Sequence, residues 1–230
     1  MRDHLRLFTF AAVCLVFVSV AAPAEADLLD GASDLTGGWR WLEWFGHFND
    51  ANLPWIYHLQ HGWLYVSEGD ATSAWMWSPG LRWFYISVDL YPSVYSTRFR
   101  DWFYCAPDTR SPCWFYDYAA CDWVTFWIGE RIAFTVNSQA SQVGRFEVSY
   151  SGMSYGTYCS SPYFALHEFA RPFAVNDGIF GYHHMSDQGL DIVGEFTSDT
   201  TASVSVSWSR HHDLCDADYS GSDSYTATRH

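Results

Sequence analysis

The segment Trp55-Ile56-Tyr57-His58-Leu59-Gln60-His61-Gly62-Trp63-Leu64-Tyr65-Val66 decides how this chain is read. Aromatic and β-branched residues run into a polar, glycine-containing turn, and a second aromatic run follows. That is the pattern of a β-hairpin. It returns in Trp75-Met76-Trp77-Ser78-Pro79-Gly80-Leu81-Arg82-Trp83-Phe84-Tyr85-Ile86. It returns again between Val94 and Cys105, and between Trp114 and Phe126. The second Trp of each unit falls at Trp63, Trp83, Trp102 and Trp123, spaced by 20, 19 and 21 residues. Within a unit the leading Trp55, Trp75, Val94 or Trp114 precedes it by 8, 8, 8 and 9. A period near 20 marks a stacked repeat. One two-stranded hairpin is marginal in water, whereas four side by side can bury a shared stripe. Upstream, Trp41, Trp44, Phe45 and Phe48 are expected to form an irregular cap.

Composition fits this reading. Aromatics make up 20% of the 230 residues, and twelve of the 13 Trp lie between Trp39 and Trp127. Core packing alone does not call for so many. In an alternating strand Trp55 and Tyr57 share one face and Ile56 takes the other. The same holds for Trp63 with Tyr65 and for Trp83 with Tyr85. Both faces are therefore rich in large apolar groups, and one core layer needs only one of them. The net charge is −14, with no Lys and 12 Arg. Such a chain repels phosphate, which disfavours nucleic acid and anionic membranes as partners.

The N-terminus reads as an export signal. Arg2 and Arg6 precede the apolar Leu7–Val20, and Ala24-Glu25-Ala26 offers a small-residue cleavage site. Residues 1–26 are expected to be removed, leaving Asp27 first in a secreted, periplasmic or surface protein. No later apolar run is long enough to serve as a transmembrane anchor. Five cysteines follow the signal: Cys105, Cys113, Cys121, Cys159 and Cys215. The odd number leaves at least one free or paired between chains, and the pairing of the first three stays open. Their spacing carries no zinc-site signature.

After Arg131 the composition changes. Trp nearly vanishes, and Ser, Thr and Gly rise. Ile132–Val136, Arg145–Tyr150, Leu190–Phe196 and Ala202–Trp208 alternate in apolar character, and Ser224–Thr228 reads as a closing strand. About seven short strands without a helix predict a small antiparallel β-sandwich. The expected fold class is all-β, with residues 27–128 forming the aromatic hairpin repeats and 129–230 the sandwich.

Motifs that carry chemistry are few. Gly152-Met153-Ser154-Tyr155-Gly156 matches the pattern of a nucleophile elbow, but no helix follows it, so a β-turn is the simpler reading. In His183-His184 and His211-His212, adjacent side chains on a strand point to opposite faces, so at most one of each pair joins a site. The same argument separates His58 from His61. Asp213, Asp216 and Asp218 sit in one loop near Gly221 and read either as a calcium loop or as a solvated acidic turn. No pair among the many carboxylates stands out for glycoside hydrolysis.

The first half resembles the aromatic hairpin repeats of secreted proteins from Verrucomicrobia-type bacteria, carried by Trp55-Ile56-Tyr57-His58 and Gly62-Trp63-Leu64-Tyr65. It is loosely similar to choline-binding and glucan-binding repeats of cell-wall proteins. The second half resembles a secreted bacterial β-sandwich module of unassigned activity, through Ile132–Val136, Gly194–Val206, Cys215 and Tyr225–Arg229. In that module Cys159 and Cys215 are the expected disulfide, and the oxidising route of export favours it. The resemblance suggests a surface or wall-associated binding role and does not identify a ligand. The aromatic stripe makes non-catalytic binding of a cell-envelope or extracellular glycan or wall polymer the favoured reading, with no cofactor, metal or catalytic residue expected. The expected ligand platform is Trp55, Tyr57, Trp63, Tyr65, Trp75, Trp83, Tyr85 and Trp102. The alternative is a structural or protein-interaction module without a small ligand, and the third reading is a secreted hydrolase.

Overall fold

The computed structural model describes residues 31–69, 72–110, 112–155, 160–169, 171–184, 189–212 and 217–230. The export signal, Cys159, Cys215, Asp213 and Asp216 lie outside these residues. The described chain is all-β and antiparallel, as expected. The first eleven strands are β1 (Ser33–Asp34), β2 (Trp39–Leu42), β3 (Gly46–Asn52), β4 (Trp55–His58), β5 (Gly62–Gly69), β6 (Ser73–Ser78), β7 (Arg82–Ser87), β8 (Ser93–Ser96), β9 (Asp101–Cys105), β10 (Phe115–Asp117) and β11 (Asp122–Ile128). The rest are β12 (Ile132–Asn137), β13 (Gln142–Tyr155), β14 (Ser160–Phe169), β15 (Phe173–Asn176), β16 (Ile179–His184), β17 (Leu190–Ser198), β18 (Thr201–His212) and β19 (Ala217–Arg229).

From β1 to β11 each strand pairs with the next. The hairpin units are thus joined by ladder hydrogen bonds into one meander. Trp63, Trp83, Trp102 and Trp123 each occupy the second position of their strand, so the sequence repeat is a structural repeat. Two details differ from the sequence reading. Val94 is not the counterpart of Trp55 and Trp75. Ser93 pairs with Tyr104 as Trp55 pairs with Tyr65, and Val94 points into the core. The supposed cap is a further hairpin, β2–β3, with His47 where later units carry Trp.

The turns, together with a shorter β7–β8 connection that sets Tyr85 opposite Tyr95 where Tyr65 faces Trp77 and Tyr104 faces Tyr116, explain the drifting spacing. Leu42–Gly46, His58–Gly62 and Ser78–Arg82 enclose three-residue turns, and Ser96–Asp101 and Asp117–Asp122 enclose four. In the shorter turns the left-handed residue opens the return strand, at Gly46 (φ 103°), Gly62 (φ 73°) and Arg82 (φ 56°). In the longer ones it closes the turn, at Arg100 (φ 54°) and Cys121 (φ 53°). A left-handed residue after a tight turn restores the register of the returning strand. One inserted residue is absorbed there without disturbing which face each ring takes.

Phe48, Ile56, Leu64, Met76, Phe84, Val94, Phe103, Phe115 and Phe126 fill the inner face of the meander. Four strand spacings of about 4.8 Å would separate β5 from β9 by roughly 19 Å in a flat sheet. Yet Gln60, in the β4–β5 turn, reaches the Cys105 sulfur at the end of β9, 3.1 Å away. The sheet therefore curls around its own core.

At β11 the core changes sides. Val124 and Phe126 belong to the first core, whereas Trp127 belongs to a second, with Phe134, Phe146, Phe180, Ile192 and Val204. This second core is enclosed by β11, β12, β13, β14 with β15, β16, β17, β18 and β19. β14 and β15 pair with successive stretches of β13 as one interrupted strand. β19 then pairs with β11 through Trp127↔Arg229 and Ile128↔Thr228 and closes the ring. The expected sandwich is instead a closed barrel that shares a strand with the repeats. Alternation suits both architectures; what separates them is that consecutive strands here pair with each other, with β14 and β15 counted as one interrupted strand, and that β19 returns to β11. Gly194 makes the interior possible, since a Cβ there would lie 2.1 Å from the Phe180 ring.

Candidate functional site

Alternation sends one set of side chains inward and leaves the other outside. The outward set is aromatic in strand after strand: Trp39 and Trp41, Trp55 and Tyr57, Trp63 and Tyr65, Trp75 and Trp77, Trp83 and Tyr85, Tyr95, Trp102 and Tyr104, Tyr116, and Trp123. Several are substantially open to solvent: Trp63 at 50%, Trp83 at 40%, Trp55 and Tyr57 at 38%, Trp123 at 37% and Trp75 at 36%. Tyr65, Tyr85 and Trp102, assigned to the same platform from sequence, are half-buried. The sequence reading missed Trp41, Tyr118 and Trp123, which are equally exposed. Trp123 was legible as a repeat position.

The rings support one another across the strands. Tyr57 and Trp63 lie 5.3 Å apart, edge to face, and Trp39 contacts Tyr57 at 6.2 Å. Trp55 contacts Tyr65 at 5.3 Å and Trp77 at 6.0 Å, and Tyr65 contacts Trp83 at 6.1 Å. Tyr95 meets Trp102, and Trp123 meets Tyr104 and Tyr116, in the same manner, while Trp75 meets Tyr85 at a tilt of 54°. Edge-to-face pairs at these separations are favourable beyond the area they bury. Each ring is braced from the side while part of it stays wet. The result is a broad, semi-rigid aromatic surface.

The turn end of the repeats is anchored to the barrel by charge. Arg145 adopts φ 47° inside β13, beside an irregularity in the β12–β13 register. Such bulges re-aim a side chain. Here Arg145 leaves the barrel and meets the carboxylates of Asp117 and Asp101. Glu147, two residues on, accepts from Arg82 and Arg98 of the β6–β7 and β8–β9 turns. Burial works against the charge on Asp101, but the hydrogen bond from Arg145 and that from the Trp102 amide hold its carboxyl below the usual range.

The histidines at the β4–β5 turn are brought together, contrary to the alternation argument. His61 stands in the turn, outside the strand, and its ring stacks on His58 at 4.8 Å. His58 is fully committed: Nδ1 accepts from the amides of Gln60 and His61, so Nε2 donates to the Phe45 carbonyl. Burial and the neighbouring His61 lower its pKa to about 3.

The remaining motifs do not assemble a catalytic site among the described residues. The backbone at Ser154 is extended and pairs with Ser161 across the β13–β14 ladder, so the chain makes no strand-to-helix elbow there. His183 contacts Asp191 across β16–β17 on the exposed outside of the barrel. His211, His212 and Asp218 lie along the β18–β19 ladder. No helix is long and apolar enough to cross a membrane among these residues.

Comparison of the chain with known protein families, curated proteins and solved structures finds no match in any of the three.

Proposed function

We propose that the protein is a non-catalytic binder of a cell-envelope or extracellular glycan or wall polymer, and that the outward face of the repeats is its platform. The observation that carries this reading is the regular half-exposure of Trp55, Trp63, Trp75, Trp83 and Trp123 on one face of one sheet. A contiguous exposed aromatic surface of this extent is unusual in a protein that keeps to itself. Braced rings offer flat apolar faces to the C–H faces of sugar rings, at little cost in side-chain ordering. The net charge of −14 argues against an anionic polymer as the ligand and favours a neutral or amine-bearing one. This reading extends the resemblance to aromatic repeats of exported envelope proteins, and with it the expected signal peptide and surface location.

The test is retention of the purified mature protein on isolated envelope fractions and on a glycan array. The proposal expects binding to a defined subset of neutral or amine-bearing glycans. Binding to no glycan, together with capture of a discrete protein partner, would replace it with the interaction-module reading.

A further inference from the structure

A second cluster lies at the opposite side of the sheet from the aromatic face, beside a cavity that Tyr57 of that face also lines. The β9–β10 connection folds Cys113 back onto Cys105, with the two sulfurs 3.3 Å apart and both residues buried. His61 reaches them from the β4–β5 turn, and both ring nitrogens lie 3.9 Å from the Cys105 sulfur. One ligand atom from each of the three residues falls within 4.8 Å of the others. We propose that His61, Cys105 and Cys113 form a site for one thiophilic d10 cation, of which Zn2+ is the type.

The distances suit such an ion. Metal–sulfur bonds of about 2.3 Å and metal–nitrogen bonds of about 2.0 Å at tetrahedral angles place sulfurs roughly 3.8 Å apart and nitrogen roughly 3.5 Å from sulfur. The sulfur–sulfur separation of 3.3 Å and the His61–Cys105 separation of 3.9 Å each differ from these by about half an ångström or less, and the third pair lies within 4.8 Å. The surroundings are those of a ligand set. The Tyr91 hydroxyl lies 3.1 Å from His61 Nε2, which fixes the ring and leaves Nδ1 as the ligand. Gln60 Nε2 donates to the Ala106 carbonyl, and that bond settles the orientation of the amide. The same NH2 group is then turned toward Cys105 Sγ at 3.1 Å and Cys113 Sγ at 3.8 Å. Donors aimed at sulfur favour thiolate. A cation bound between the two sulfurs displaces both thiol protons to solvent. His61, Gln60 and Cys113 line a cavity of about 370 Å3, with Arg110, His230 and the Pro79–Leu81 turn also on its wall. The cavity gives an ion its way in and leaves a fourth position for water.

Sequence spacing gave no hint of this site, because His61 comes from a different repeat unit and only the curl of the sheet brings it near. The test is titration of the reduced mature protein with Zn2+ and Cd2+. The proposal expects one equivalent bound, an ultraviolet thiolate-to-cadmium band, and protection of Cys105 and Cys113 from a thiol reagent that still modifies exposed Cys121. Cys113→Ser should abolish the band, and Gln60→Leu, which keeps all three ligands, should weaken binding at least several-fold. Absence of a cadmium band in the folded wild-type protein overturns the proposal. So does a Cys105–Cys113 disulfide in the protein as exported, found by peptide mapping without reductant.

Discussion

Arg145 holds Asp117 along two edges at once, with Nε 2.8 Å from Oδ2 and Nη2 2.8 Å from Oδ1. The same Nη2 lies 2.7 Å from Asp101, and the guanidinium carbon sits 5.4 Å from the centre of the Phe103 ring. Asp117 is 1% exposed, so this arginine is what makes a buried carboxylate tolerable. Arg145→Met leaves that charge without its partner, and removing one member of a buried pair costs about 3–5 kcal/mol. Denaturant melts of the variant should show a loss of that size. The Arg145→Met, Asp117→Leu double variant should recover much of it, because the stranded charge is then gone.

The same contact gives a pH signature. The Asp101 carboxyl titrates lower in the folded protein than its ordinary 3.8. Its contribution to stability is therefore complete above that value and fades as pH falls through the folded one. Acid unfolding curves of Asp101→Asn should be flatter than wild type below about pH 4.

His58 titrates with the opposite chemistry. Its folded pKa of about 3 lies below the ordinary 6.5, so the unfolded chain takes up a proton that the folded chain refuses. Stability from this group is complete above pH 6.5 and is lost progressively as pH falls toward 3. Denaturant melts between pH 7.5 and 4.5 should show wild type losing more stability on acidification than His58→Gln. Equal pH dependence in the two proteins would contradict this account of the turn.

Gly194 faces the Phe180 ring with no room for a methyl group. Gly194→Ala should displace Phe180 and destabilise the barrel by about 1–3 kcal/mol, the usual cost of overpacking. The Gly194→Ala, Phe180→Leu pair should lose less than the two single changes together, which a double-mutant cycle reads directly.

Much of this was legible in the sequence, and the remainder has identifiable physical causes. The recurrence at Trp63, Trp83, Trp102 and Trp123 gave the repeat, because ring position follows strand alternation and alternation survives a one-residue change in turn length. The place of Val94 was misjudged for the same reason: a four-residue turn at Thr97–Arg100 moves the outward position to Ser93. The hairpin at β2–β3 was hidden because His47 stands where a Trp was sought. The barrel was hidden because Leu190–Phe196 and Ala202–Trp208 alternate alike in a sandwich and a barrel, and closure depends on β19 reaching β11. The Arg145 anchor and the His61 cluster depend on contacts between distant segments, which no local pattern encodes. Alternation in the sequence groups the rings by face, but exposure is decided by what covers a face, and only the fold supplies that.

The most direct test of the central claim compares two variants under one set of conditions. Trp63→Ala, Trp83→Ala and Trp123→Ala combined remove outward, half-exposed rings. Phe103→Ala removes a fully buried one of the opposite face. The account predicts that Phe103→Ala costs about 3–5 kcal/mol in a thermal or denaturant melt. The outward triple variant should stay folded, with a far smaller loss per ring, and should no longer be retained on the envelope fraction or glycan that holds the wild type. Retention of the folded triple variant at wild-type strength would contradict the account.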